Sequence, residues 1–234
     1  GMMFFIVGFA LGINSYIVPL LQNALNVSSG QSYMLLAATF AAFLIFSYPA
    51  TALITKVGYK KTMVLAFAIF ALGFVLFVPS AKLQSLPLFM IASFICGVGN
   101  TVLQAAINPY ATYLGPIDTA ARRISIMGIC NIVAWPASPL FLAWLIGKNL
   151  DDMVLSDIVF PFYVLTGIFA LLGLLVWVSP LKEMAFGEQE EEGVDASESE
   201  GKTSILQFPH LILGAIALFM YVGVETIAMA SSVD

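Results

Sequence analysis

Residues 86–110 read LPLFMIASFICGVGNTVLQAAINPY, twenty-five positions without one Asp, Glu, Lys, Arg or His. A helix rises about 1.5 Å per residue, so about 20 apolar residues cross a hydrocarbon layer roughly 30 Å thick. This stretch is long enough to do so. It also carries three carboxamides, Asn100, Gln104 and Asn108, spaced four apart and therefore aligned on one stripe of a helix. A stripe of amides is expensive against lipid and should face protein or water. Each amide taken singly could equally hydrogen-bond a neighbouring helix and hold the bundle together. Three on one stripe favour a lined cavity, with Gln104 and Asn108 as its contacts rather than Asn100. Gly97 and Gly99, just before them, are read as sites of close helix packing, because a phosphate cradle would need a strand-turn-helix context.

The rest of the chain repeats this pattern. Of 234 residues 60% are hydrophobic and only 10% charged, too little polar surface for a water-soluble domain. Seven apolar runs of spanning length are expected, at about Met2–Leu21, Ser32–Thr55, Thr62–Pro79, Leu86–Tyr110, Ile124–Ile146, Ile158–Val178 and Pro209–Ser232. The first is not expected to be a secretory signal, since a basic start and a small-residue cleavage site are not seen in it and Asn14 interrupts it. Domains follow from the runs: a six-helix transmembrane bundle over 1–180, an acidic flexible cytoplasmic linker over 181–207, and a seventh transmembrane helix over 208–234 that begins a second half. The linker reading rests on eight acidic residues between Glu183 and Glu200, interspersed with Gly and Ser.

With the N-terminus in the cytoplasm, the inward loops carry Lys56, Lys60, Lys61, Arg122, Arg123, Lys182 and Lys202, and the outward loops only Lys82 and Lys148. That asymmetry fixes the expected orientation. The net charge of −5 reflects the linker and points to no nucleic acid partner. Cys96 and Cys130 sit within apolar runs, where packing is the simplest role. No nucleophile pairs with a base and no metal ligands are grouped, so an enzyme is not expected.

The first six runs contain no Asp, Glu, Lys or Arg, whereas Asn14, Asn100, Gln104, Asn108 and Asn131 lie within them. Carboxamides donate and accept without carrying charge, which suits a neutral polyhydroxylated ligand such as a sugar. An anionic substrate would call for a cationic clamp. Glu225, in the seventh run, is the exception among the spans. A carboxyl group there needs a partner or a cavity. It is expected to line the substrate route or serve as the coupling site, the alternative being a bond to a neighbouring helix.

The stretch Gln104-Ala105-Ala106-Ile107-Asn108-Pro109-Tyr110-Ala111-Thr112-Tyr113-Leu114-Gly115-Pro116 resembles the fourth-helix motif of the fucose permease family, roughly E-T-A-A-N-P-F-x-T-x-L-G-P. Asn14 to Pro19 is similar to that family's first-helix N-D-x-x-x-P pattern, and Arg123 to Asn131 keeps the Arg and Asn of its fifth-helix start. Tyr221 to Glu225 resembles the glucose/galactose branch. The resemblance implies a twelve-helix major facilitator of the bacterial inner membrane, a sugar symporter working by alternating access. The candidate substrate-binding residues are Asn14, Gln104, Asn108, Asn131 and Glu225, with no cofactor expected beyond a coupling Na⁺ or H⁺. Three departures stand out. Where fucose transporters carry carboxylates on the first and fourth helices, this chain has Ser15 and Gln104, and their fifth-helix Gln is Gly128. Proton coupling by that route is therefore not expected.

Smaller features have plain readings. Lys56-Val57-Gly58-Tyr59-Lys60-Lys61 resembles a degenerate form of the superfamily's basic cytoplasmic turn, and its lysines suffice to set topology. Trp135, Pro136 and Pro139 should kink the fifth helix near Asn131, with Trp135 in a packing role, and His210 should be interfacial. One helix of a second half cannot rock against six, so the chain is expected to be a piece whose partners are lipid, a neutral sugar and the missing C-terminal half. A non-transporting sensor or assembly subunit, or an uncoupled facilitator, would use the same spans.

Overall fold

The computed structural model describes residues 1–25, 27–113, 115–147, 153–181, 212–221 and 224. The chain forms two compact units, Gly1–Glu188 and Gln189–Asp234. The first is built from α1 (Met2–Leu25), α2 (Ser29–Val57), α3 (Tyr59–Leu83), α4 (Leu86–Tyr113), a 3-10 turn at Ile117–Thr119, α5 (Ala120–Ile146) and α6 (Val159–Val178). All six α-helices are long and apolar enough to cross a membrane. In the second unit an apolar helix, α7, covers Ile212–Tyr221, inside the seventh expected run. Glu225, His210 and the linker from residue 182 onward lie outside the described residues.

The helices overrun the apolar runs at most ends, because hydropathy measures the crossing of the bilayer whereas capping stops the helix. Ser28 and Gln31 form a reciprocal capping box at the start of α2. Gly58, at φ 84°, ends α2 and begins α3 in one residue, a backbone conformation that favours glycine. Gly147, at φ 73°, closes α5 with its N–H on the Ala143 carbonyl.

Lipid tails are as apolar as leucine, so burial away from water does not drive these helices together; packing and hydrogen bonds must. On α3, Phe67, Phe70, Phe74 and Phe77 recur at intervals of three and four and meet α6, with ring centroids 4.8 Å apart for Phe74–Phe169 and 4.7 Å for Phe77–Phe162. Aromatic pairs of this kind contribute about 0.5–1.5 kcal/mol each. α4 runs through the bundle against α2 and α3 and also touches α1 and α5. Its glycines make this possible: a Cβ on Gly97 would lie 2.7 Å from the Thr39 carbonyl oxygen of α2, and one on Gly99 3.1 Å from the ring of Phe70 on α3. The close packing expected at this pair is thus present.

The α1–α5 contact uses the same device. Gly8 and Gly12 are one helical turn apart, and their Cβ atoms would fall 2.0 Å from the Asn131 carbonyl oxygen and 2.2 Å from the Ser138 hydroxyl. Beside them Ser138 donates to the Trp135 carbonyl at 2.8 Å, the group that Pro139 leaves without its helical partner.

Gly8→Ala and Gly12→Ala should therefore force α1 from α5 and lower the unfolding temperature in detergent, by the equivalent of about 1–3 kcal/mol. Gly167→Ala on α6, where a Cβ meets nothing within 4 Å, should leave it unchanged or slightly raised.

Candidate functional site

Three helices converge on an open recess of ≈ 230 Å³. Phe4 and Val7 come from α1, Gln104, Ile107 and Asn108 from α4, and Gly128, Asn131 and Ile132 from α5. No lining residue carries a charge. Successive positions on α4 and α5 explain the mixture: Gln104 and Asn108 are one turn apart, as are Gly128 and Asn131, with Ile107 and Ile132 beside them. Gln104 is half-buried and Asn108 exposed.

The amides are partly held in place. Asn131 donates through Nδ2 to the Phe4 carbonyl at 3.0 Å, tying α5 to α1. Gln104 donates through Nε2 to Asn100 Oδ1 at 3.3 Å, and Asn100 itself is buried. Each of these bonds uses one of the two N–H groups that a carboxamide offers.

Asn14 is placed elsewhere. It is 3% exposed, donates through Nδ2 to Thr39 Oγ1 at 2.9 Å and accepts at Oδ1 from the Ser93 hydroxyl at 2.8 Å. Thr39 in turn reaches the Leu35 and Ser93 carbonyls. This network joins α1, α2 and α4, so the geometry gives Asn14 an interhelical role and does not bring it to the recess with the other three amides. Ser15 Oγ bonds the Leu11 carbonyl of its own helix at 3.1 Å. Trp135 is not among the lining residues.

Sequence reasoning passed over Arg123 as a structural element. Its guanidinium donates to the carbonyls of Ala111 (3.3 Å), Thr112 (2.8 Å), Gly115 (3.1 Å) and Pro116 (2.9 Å) and to the Thr119 hydroxyl. Five donors in a rigid fork thus bracket the end of α4 to the start of α5, the two helices that carry the recess amides. Lys60 does similar work across the bundle, donating from Nζ to the Ser179 carbonyl at 2.9 Å and capping the end of α6. The basic turn therefore has a structural contact besides its place in the topology. Phe4, Val7, Ile107 and Ile132 were also missed, being indistinguishable from lipid-facing or core residues by type. The Gly8/Gly12 spacing was a readable signal.

A family profile for the Major Facilitator Superfamily matches residues 1–233. The chain belongs to that superfamily. Among the relatives of this major facilitator chain, the glucose/galactose transporter of Brucella abortus is 34% identical, over 96% of this chain and 54% of the relative. The L-fucose-proton symporter of Escherichia coli is 24% identical, over 96% of this chain and 55% of its own length. A crystal structure of the Escherichia coli fucose:proton symporter matches with a TM-score of 0.73 at 24% identity, over 95% of this chain and 58% of that one, a likeness of fold. The chain spans about half the length of the curated relatives it matches.

The two kinds of amide should separate on substitution. Asn14→Ala removes two interhelical hydrogen bonds, each worth about 0.6–1.7 kcal/mol, and should lower the unfolding midpoint in detergent. Asn108→Ala should leave that midpoint nearly unchanged.

Proposed function

We propose that this chain supplies one side of the substrate site of a secondary transporter for a neutral monosaccharide, a hexose such as glucose or galactose. The reading rests on one observation: Gln104, Asn108 and Asn131 line a single recess together with apolar side chains and no charged one. Amide donors and acceptors suit hydroxyl groups of either polarity, and apolar neighbours suit the C–H faces of a sugar ring. A phosphate ester or dicarboxylate would find no cationic partner there. The names of the relatives, transporters of glucose/galactose and of L-fucose, point the same way.

Alternating access then places the recess against a second six-helix half near mid-membrane, the two halves rocking about the bound sugar. The basic inward loops set the N-terminus in the cytoplasm, in a bacterial inner membrane. Transport is coupled to a cation, H⁺ or Na⁺. Since Gln104 and Ser15 cannot exchange protons, Glu225 is the proposed coupling group and a further contact to sugar hydroxyls.

Uptake of radiolabelled hexose by cells expressing the whole protein, with pH and Na⁺ varied independently, tests this. Saturable uptake driven by one of the two gradients is expected, and Glu225→Gln should abolish the dependence on that gradient. Hexose binding without uptake under any condition would identify a sensor instead, and uptake that ignores both gradients an uncoupled facilitator.

A further inference from the structure

We propose that Gly128 sets the size of the sugar that the recess admits, by leaving room on α5 for the ring's exocyclic substituent. The inference deepens the sugar-transport reading and rests on it.

The glycines of the bundle fall into distinct kinds. Gly58 and Gly147 have positive φ and end helices. Gly8, Gly12 and Gly97 admit a neighbouring helix at distances a Cβ would violate, and Gly99 at one a Cβ would crowd. Gly128 does neither. It lies inside α5 with ordinary helical backbone, and a Cβ built there meets nothing within 4 Å. Gly30, Gly167 and Gly214 share that open space, but none of them lines the recess. Glycine is disfavoured within helices relative to alanine, so its presence facing a lined cavity points to the space itself.

That space has a defined neighbour. Position 128 is three residues before Asn131 and on the same face, so any side chain there would project beside the Asn131 amide. The recess is only ≈ 230 Å³, so a branched side chain would take a large share of it. A pyranose whose hydroxyls engage the amides needs room for the one substituent that is more than a hydroxyl, the hydroxymethyl group of an aldohexose. A pentose lacking that group does not need it.

The test is a series Gly128→Ala, Gly128→Val and Gly128→Leu in the whole protein. Uptake of D-glucose is compared with that of D-xylose, which differs from it only by lacking the hydroxymethyl group. Hexose KM should rise stepwise, by roughly tenfold or more at Val, since a single methylene too many in a binding site already costs about tenfold or more. Pentose KM should change far less, and the unfolding temperature should hold across Ala and Val. A second readout avoids transport: Gly128→Cys in a Cys130→Ser background should react with a water-soluble thiol reagent, and saturating hexose should slow that reaction at least several-fold.

Equal losses for both sugars would assign the space to a neighbouring helix of the second half and overturn the proposal. A flat series in a protein that still transports would overturn it while leaving the transport reading intact. Transport of neither sugar by the parent would remove that reading and the size role with it.

Discussion

Hydrocarbon offers no reward for pressing one apolar helix against another, so a bundle in lipid holds only where backbones can touch and polar groups can find each other. In this chain both conditions are met along α1 and α4. Gly8 and Gly12 lay α1 on the backbone of α5, Gly97 lays α4 on α2, and Gly99 lays it on Phe70 of α3. The Asn14–Thr39–Ser93 network then locks α1, α2 and α4 in register, since an amide and two hydroxyls left unpaired in that setting would each be costly. The polar stripe of α4 inherits its direction from these contacts. With the glycine-bearing side of the helix committed to α2 and α3, Gln104 and Asn108 are turned to the recess they share with α5.

The same logic explains why that recess stays the right shape. Arg123 holds the end of α4 to the start of α5 through a fan of carbonyls, and Asn131 ties α5 to α1 through the Phe4 carbonyl. None of the three helices lining the recess can drift without breaking a bond to another. The aromatic stack of α3 and α6 gives the bundle a stiff back that takes no part in the recess itself.

Much of this was legible in the sequence, for reasons that can be named. Spanning helices announce themselves because a bilayer imposes a length and forbids charge, and the four-residue spacing of Asn100, Gln104 and Asn108 fixes a common face whatever the neighbours are. Helix ends were less legible: Ala120 to Arg123 extend α5 beyond its apolar run because helical hydrogen bonding continues past the hydrocarbon. Asn14 could not be assigned from sequence, because an amide that binds a ligand and one that binds Thr39 and Ser93 are the same residue in the same kind of run. Only the positions of its partners separate the two. Arg123 was similarly opaque, as its acceptors are backbone carbonyls, which no side-chain pattern reveals. The role of Glu225 rests on its being an acid within an apolar run, outside the described residues.

A substrate recess at this place requires that the α4 amides face water rather than lipid. Spin labels at Gln104→Cys and Asn108→Cys, in a background lacking Cys96 and Cys130, report this through their relaxation by a water-soluble nickel chelate and by lipid-soluble oxygen, with Leu171→Cys and Leu174→Cys on the exposed face of α6 for comparison. The chelate should dominate at 104 and 108, and oxygen at 171 and 174. Oxygen dominating at all four positions would contradict that placement.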